Sequence, residues 1–406
     1  MAKFGTLRDL QLRGKRVLVR EDLNVPLKEG AVRDDTRIRA ALPTLRYLIE
    51  HGARTVVVSH LGRPDGLRKP ELSLQPVAKA LGQALGAEVR FCDEAVGAKA
   101  EAAVAALHDG QVLLLENLRF YPGEEANDPQ FAAALAKLGD LYVNDAFGTA
   151  HRAHASTAGI AADLPAVAGF LMEAELQALS SLLDDPAKPF VCILGGAKVA
   201  DKIGVLTNLM GRCDAFVVGG GMANTFLAAQ GIDTGGSLRD KDLGPAHQIL
   251  AQAKAAGVAI HLPVDAVVAA SLDAPQEQTR VVELVLDASV APLQGGEMIL
   301  DIGPRTRERF ARVIETAKTI VFNGPMGVYE KAPFQGGTAA IGEAIAQATR
   351  AGAESVIGGG DAAAAAHALG FADAVTHVST GGGATLEFLE GRELPGVAAL
   401  QKAAAR

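Results

Sequence analysis

The chain alternates between two kinds of segment. Short apolar runs rich in Val, Ile and Leu recur at Val17–Val19, Thr55–Val58, Val112–Leu115 and Leu141–Val143. They return at Phe190–Leu194, Ala215–Val218, Val258–His261, Met298–Leu300, Thr319–Phe322, Ser355–Ile357 and Ala374–Val378. Between them stand Ala/Leu/Glu/Lys stretches with helical periodicity, such as Asp128–Lys137, Asp242–Ala256, Gly337–Arg350 and Asp361–Leu369. Runs that are apolar at every position suit strands buried on both faces, and the intervening helices supply the cover. The pattern predicts an α/β protein built on doubly wound parallel sheets.

With 406 residues the chain exceeds one ordinary core, so two such Rossmann-like domains are expected. Asp163-Leu164-Pro165 opens an apolar helical stretch running through Met172 and Leu183, and Asp184-Asp185-Pro186 breaks it. A helix between breakers reads as the hinge joining the domains. The end, Gln401–Arg406, reads as frayed.

In open parallel sheets ligands bind beyond the carboxyl ends of the strands. The loops there differ between the two halves. In the first they are basic and polar: Arg20-Glu21-Asp22-Leu23-Asn24-Val25-Pro26, with Arg37 downstream; Ser59-His60-Leu61-Gly62-Arg63-Pro64; Glu116-Asn117-Leu118-Arg119; and Asn144-Asp145-Ala146-Phe147, running into His151-Arg152-Ala153-His154. One arginine after a strand is ordinarily a solvated or salt-bridged residue. Four of them, Arg37, Arg63, Arg119 and Arg152, with His60 as a further donor, suit a small polyanion, because guanidinium forks bind phosphate and carboxylate at two points. His151 and His154 read as structural.

In the second half the loops are rich in glycine: Gly195-Gly196-Ala197-Lys198, Gly219-Gly220-Gly221, Asn323-Gly324-Pro325, Gly358-Gly359-Gly360-Asp361 and Gly381-Gly382-Gly383. Glycines let backbone N–H groups approach an anion, and a following helix adds its positive end. Lys198 and Lys202, four apart at the start of an expected helix, would share a face and repel unless a phosphate chain lay between them. Asp361 is either a helix N-cap or a ligand for a nucleotide-bound Mg²⁺. No G-x-x-x-x-G-K-[ST] stretch and no clean G-x-G-x-x-G occur, which excludes a P-loop enzyme and weighs against a dinucleotide enzyme.

The overall balance sharpens this contrast. The formal net charge is -8, aromatic residues make up 4% and Trp is absent, so neither a nucleic-acid surface nor an anionic-membrane surface is expected. Local arginine clusters then stand against the overall sign. The three cysteines, Cys92, Cys192 and Cys213, have neither disulfide-framework nor zinc-site spacing. Met1–Leu12 has no apolar core and no membrane-length apolar stretch occurs, so the expectation is a cytoplasmic protein.

Bottom-up, the sequence describes a two-domain protein binding two phosphorylated ligands. A two-domain dehydrogenase or a two-lobed anion carrier would share that outline. The motifs go further. Asp22 to Pro26, Ser59 to Pro64, Asn144 to Phe147, Ala150 to Ser156, Gly195 to Ile203, Asn323 to Glu330, Gly358 to Asp361 and Ser379 to Ala384, in this order, resemble the phosphoglycerate kinase family along nearly the whole chain. The resemblance implies reversible transfer of the acyl phosphate of 1,3-bisphosphoglycerate to ADP, giving 3-phosphoglycerate and ATP, in glycolysis. It also implies a monomer whose hinge closes around both ligands. Residues 1–168 would bind phosphoglycerate, 169–390 the nucleotide, and 391–406 would return to the first domain.

On the same basis, Asp22, Asn24, Arg37, His60, Arg63, Arg119 and Arg152 would contact the glycerate substrate. Lys198 and Lys202 would contact the nucleotide phosphates, and Gly219, Gly220, Gly221 and Asn323 would wall the nucleotide site. Glu330 would hold the ribose, and Gly358, Gly359, Gly360 and Asp361 would cradle the Mg-nucleotide, with Asp361 the Mg²⁺ ligand. Arg37, Lys202 and the N–H groups of Gly359, Gly360, Gly382 and Gly383 are the expected stabilisers of the moving phosphoryl group. Three positions depart from the family pattern: Ala362 stands where a hydroxyl residue is usual, Leu118 where Val is commoner, and Glu21 where a small or apolar residue is commoner.

Overall fold

The computed structural model of the chain describes residues 4–286 and 293–405. Met1 and Arg406, the ends of the expected first domain and tail, lie outside the described residues. Two compact units are present: one of residues up to Gln177 together with Glu393 onward, the other Ala178–Arg392.

The first unit holds a six-stranded sheet in the order Val89–Cys92, Val112–Leu115, Arg54–Val58, Arg16–Arg20, Leu141–Asn144, Ala166–Ala168. Every pairing in it is parallel, with Val17 opposite Thr55 on one side and Leu141 on the other. The second unit holds another parallel six-stranded sheet: Ala259–His261, Ala215–Val218, Phe190–Leu194, Thr319–Asn323, Glu354–Ile357, His377–Val378. In each sheet the strand order reverses beside its first strand in the chain. That reversal opens a crevice at Glu21 and Asp145 in one unit and at Gly195 and Gly324 in the other. Most of the apolar runs form strands buried on both faces; the sheet-edge strands Ala259–His261 and His377–Val378 are only partly buried. Val17, Val19, Val57 and Leu114 are fully buried in the first unit, each side chain contributing ~1.5–3 kcal/mol.

Four expectations are corrected. The stretch from Asp163 is not one helix. Pro165 leads into the edge strand Ala166–Ala168, its carbonyl accepting from Tyr142 N (2.9 Å), and the helix begins only at Phe170 and runs to Asp184. Pro165 lacks an N–H, which an edge strand tolerates and a helix interior does not. Met298–Ile302 belongs to neither parallel sheet. It pairs antiparallel with Asp265–Ala269, which pairs antiparallel with Arg280–Glu283, in a separate three-stranded sheet. The strand expected over Ala374–Val378 shrinks to His377–Val378 after a turn at Ala372–Ala374. The tail does not fray at Gln401: Pro395–Ala404 is a helix, anchored by Leu394, Val397, Ala398 and Leu400, all buried. No described helix is long and apolar enough to cross a membrane.

Candidate functional site

In the first unit, loops at the strand ends are stitched to one another, and the stitching positions the basic residues. Leu23 N donates to Ser59 Oγ (2.9 Å), Gly62 N donates to Asn24 Oδ1 (2.9 Å), and Leu118 N donates to Ser59 O (3.1 Å). Asn117, fully buried, accepts from Leu61 N (3.2 Å) and Arg119 N (3.1 Å) while donating to Leu61 O (2.7 Å) and Leu72 O (3.0 Å). It fixes the His60–Arg63 loop against Arg119, whose Nη1 donates to Gly62 O (2.8 Å). Arg37, near the start of the helix Thr36–Glu50, is ion-paired with Asp22. Burial works against the Asp22 charge, but the surrounding donors and cations outweigh it and hold its pKa below the ordinary value, Arg37 by direct contact.

His60 is buried, with Nδ1 3.2 Å from Arg20 Nη2. A guanidinium only donates, so Nδ1 accepts and the imidazole proton resides on Nε2. Burial first, then the charges of Arg20, Arg119 and Arg37, push its pKa well below the ordinary imidazole range over the opposing pull of Asp22. His60 is thus a neutral N–H donor, not a cation. Arg63 and Arg152 are exposed and pair with no carboxylate among the described residues. Arg20, Arg37 and Arg119 all act electrostatically on His60, and Arg152 acts on Arg119. Arg20, Arg37, Arg119, Arg152 and His60 therefore share one field. Arg20, which the sequence places in the basic strand-end loop without a role, is the last residue of the strand Arg16–Arg20. Its guanidinium, fully buried, donates to Ser156 Oγ (2.9 Å) and to the Glu21 carbonyl, and it is what sets the His60 tautomer.

In the second unit a cavity of about 320 Å³ is lined by Gly195, Gly196, Lys198, Lys202, Asn323, Gly324, Gly359, Gly360, Asp361, Ala362, Gly382 and Gly383. Beside it, an apolar cavity of about 500 Å³ is lined by Gly220, Gly221, Met298–Ile302, Met326, Val328 and Glu330, with Asp361 shared between the two. Lys198 and Lys202 meet in the first cavity, though not on one helix. Lys198 lies in the loop, Lys202 closes a 3₁₀ turn (Ala200–Lys202), and the helix starts at Ile203. Asp240, unforeseen, bends that loop by accepting Val199 N (2.9 Å) and Ala200 N (3.2 Å). Burial lowers the Lys202 pKa, and Cys192, Asp361, Asp201 and Glu390 oppose it.

Several glycines do different work from that expected. The N–H groups of Gly195, Gly196 and Gly220 donate to Asn323 O (3.0 Å), Pro325 O (3.1 Å) and Met326 O (3.0 Å), knitting three loops together. Gly219 and Gly358 stand behind the cavity walls, bonded to Leu194 O (2.9 Å) and Phe322 O (2.9 Å). Gly359 with Gly360, and Gly382 with Gly383, begin the helices Gly360–Ala368 and Gly383–Leu389, whose leading N–H groups have no partner inside the helix. Gly359 (φ 93°) is the N-cap of the first, so Asp361 is not the cap; its carboxylate makes no hydrogen bond or ion pair among the described residues.

Two lysines, an uncommitted carboxylate and helix starts around one cavity suit a polyphosphate. The phosphoglycerate kinase family model matches residues 7–392. A phosphoglycerate kinase of Chloroflexus aggregans is 55% identical over 402 residues, 98% of this chain and 99% of that one. One of Moorella thermoacetica is 54% identical over 403 residues, again 98% and 99%. The structure of phosphoglycerate kinase from Coxiella burnetii superposes with a TM-score of 0.88 at 43% identity, covering 99% of this chain and 100% of that one. That from Pyrococcus horikoshii gives 0.81 at 35% identity, with 98% of each covered.

The chain belongs to the phosphoglycerate kinase family.

Its reaction is the phosphoglycerate kinase reaction, phosphoryl transfer between 1,3-bisphosphoglycerate and ADP with a carboxyl group as acceptor in reverse, in glycolysis. Phosphoglycerate kinases use ADP or ATP with a divalent metal. The dehydrogenase and carrier readings fall with this.

Glu21 now has a physical description. It is fully buried at the crevice of the first sheet and neither carboxyl oxygen has a hydrogen-bond partner. Burial first, then Asp145 and Asp22, raise its pKa well above the ordinary carboxyl value, against the pull of Arg20. The folded chain therefore keeps a proton that the unfolded chain releases. The penalty is absent below the unfolded pKa near 4.5, grows as pH rises, and is complete above the folded pKa. Relative to the parent, Glu21→Gln should gain stability as pH rises from 5 to 8, by at most ~1.4 kcal/mol per pH unit. Urea unfolding at both pH values checks this; an equal difference at the two would mean that Glu21 is ionised in the fold.

Proposed function

We propose that the two units divide the substrates. The first takes the phosphoglycerate through Asp22, Asn24, Arg37, His60, Arg63, Arg119 and Arg152, and the second takes Mg-ADP or Mg-ATP. Lys198 and Lys202 meet the phosphates, Glu330 meets the ribose, and Gly220, Gly221 and Asn323 wall the site, with Gly219 and Gly358 holding those walls from behind. The single observation that carries this reading is the convergence of Lys198, Lys202, Asp361 and the helix starts at Gly359–Gly360 and Gly382–Gly383 on one cavity.

The metal fits the residues present. No group of three or more His, Cys, Asp or Glu side chains among the described residues could hold an ion alone. Mg²⁺ prefers one or two carboxylates plus substrate phosphates, and Asp361 is one free carboxylate beside the phosphate cavity. When bound it neutralises phosphate charge. Arg37 and Lys202 stabilise the equatorial oxygens of the transferring group, and the N–H groups of Gly359, Gly360, Gly382 and Gly383 add fixed dipoles. Transfer is in line and needs no covalent enzyme intermediate. The acyl phosphate and the attacking ADP oxygen must approach to about 3–3.5 Å with water excluded. The protein acts in the cytoplasm as a monomer.

Lys202→Ala tests the division directly. Its affinity for ADP should fall at least about tenfold (~1.4 kcal/mol), while 3-phosphoglycerate affinity stays unchanged. Titration calorimetry with each ligand and ATP formation from 1,3-bisphosphoglycerate and ADP read the outcome. Unchanged ADP affinity and turnover would remove the phosphate role from this cavity.

A further inference from the structure

Asp301 belongs to none of the loops that the sequence singled out. It lies on the strand Met298–Ile302, is 1% exposed, and lines the apolar cavity together with Glu330, Gly220 and Gly221. Its Oδ2 accepts from Arg307 Nη2 (2.9 Å) and from Gly337 N (2.6 Å). Its Oδ1 has no hydrogen-bond partner and is pressed between two backbones, since a Cβ at either Gly327 or Gly337 would overlap it. Gly337 lies in the first turn of the helix Gly336–Arg350, and Arg307 sits on the helix Pro304–Glu315. Gly327 belongs to the segment Asn323–Glu330, which is tied on the same side by Val328 N to Leu300 O (2.9 Å) and Met326 N to Thr338 Oγ1 (3.0 Å). On its other side this segment receives the N–H groups of Gly195, Gly196 and Gly220. One buried carboxylate thus joins a strand, two helices and the loop that carries Glu330.

We propose that Asp301 is a positioning residue for the nucleotide. It sets the spacing between the apolar wall Met298–Ile302 and the Asn323–Glu330 segment, so that the nucleoside end of ADP fits between them. This rests on reading the cavity as the nucleotide site. The residue acts through the loop and does not touch the transferring phosphoryl group, so it governs nucleotide affinity and leaves the chemical step alone.

The charge on Asp301 is part of the device. Burial raises its pKa to about 7, against Arg307 and the N–H groups of Gly337 and Ile302. The charged group that acts on it is Arg307 from the helix Pro304–Glu315, while Glu330 from the loop and Asp361 line the same cavity. Protonation removes acceptor capacity from the joint, so ADP affinity should weaken on the acid side of neutrality.

Titration calorimetry and steady-state kinetics on the full chain decide the matter. Asp301→Ala should raise the Kd and KM for ADP about tenfold or more, while the KM for 1,3-bisphosphoglycerate and kcat at saturating ADP stay within about twofold. Asp301→Asn keeps an acceptor but cannot ionise. Its Kd ratio to the parent should exceed one at pH 8 and approach one at pH 6, a comparison in which the titration of ADP itself cancels. If Asp301→Ala does not fold, Arg307→Gln, changed at the outer side of the joint, should still raise the Kd for ADP about threefold or more. A folded variant with unchanged ADP affinity, or one that loses kcat at unchanged KM, overturns the proposal. If Lys202→Ala weakens ADP and the Asp301 variants do not, only the positioning role is lost. If neither weakens ADP, the nucleotide reading of the cavity goes too.

Discussion

Replacing Arg37 by alanine should lower kcat by roughly 10²–10⁵-fold, the span covered by single transition-state donors and arginine fingers. The side chain is held by Asp22, whose carboxylate is 9% exposed, so the guanidinium is oriented before any ligand arrives. A planar fork held in one place loses little freedom on meeting a phosphoryl oxygen. Arg37→Lys should recover only a small part of the loss, because it restores charge without the fork. Because Arg37→Ala also strands the Asp22 carboxylate, Asp22→Asn in the same background separates repulsion of the anionic substrate from loss of the donor. Stopped-flow or coupled assays of ATP formation, with circular dichroism to show an intact fold, provide the measurement. A drop smaller than about threefold in kcat would take Arg37 out of the transition state.

Gly195→Ala should abolish measurable ADP binding and destabilise the second unit by about 1–3 kcal/mol. A Cβ at this position would overlap the carbonyl oxygens of Gly324 and Pro325 and come within 2.7 Å of the Pro325 carbonyl carbon. All three are backbone atoms, so no rotamer change relieves the collision. The loops Gly195–Lys202 and Asn323–Glu330 must part, and both line the phosphate cavity. Gly211→Ala is the matched control. Nothing lies within 4 Å of its added Cβ, and it should change stability by no more than about 0.5 kcal/mol. Nucleotide titration and thermal unfolding of the two variants check the contrast; comparable behaviour would show that the loops accommodate the methyl group.

Much of the α/β architecture was legible because apolar runs such as Phe190–Leu194 and Thr319–Phe322 have little alternative to a doubly covered strand. Val89–Cys92 was not read as a strand. It is an edge strand with Arg90 in it, and its mixed polarity hides the period. The antiparallel sheet was invisible for a related reason. Asp265 looks like a loop residue, yet it is buried and accepts from Arg305 N (3.0 Å) and Thr306 N (2.8 Å) at the start of a helix.

At the site, the arginines and glycines could be found because their types are unusual at strand ends. The residues that aim them could not. Asn117, Arg20, Asp240 and Asp301 act through buried hydrogen bonds to partners distant in sequence, such as Arg20 to Ser156 or Asp240 to Val199. A single sequence carries no local mark of such pairings. The double role of the glycines was likewise hidden. Composition announces that backbones come close, but not whether the neighbour is an anion or another loop.

The first unit is completed by residues from both ends of the chain, with Gly396 N donating to Ala150 O (2.8 Å) and the helix Pro395–Ala404 packed beside Ala166–Ala168. During synthesis, Ala178–Arg392 is therefore free to finish folding while the earlier-made portion still lacks its last helix. The helix Pro395–Ala404 must leave the ribosome before the arginine-bearing unit reaches its native stability. A nonsense mutation near codon 393 would thus remove a helix from the unit translated first, not from the one translated just before the stop.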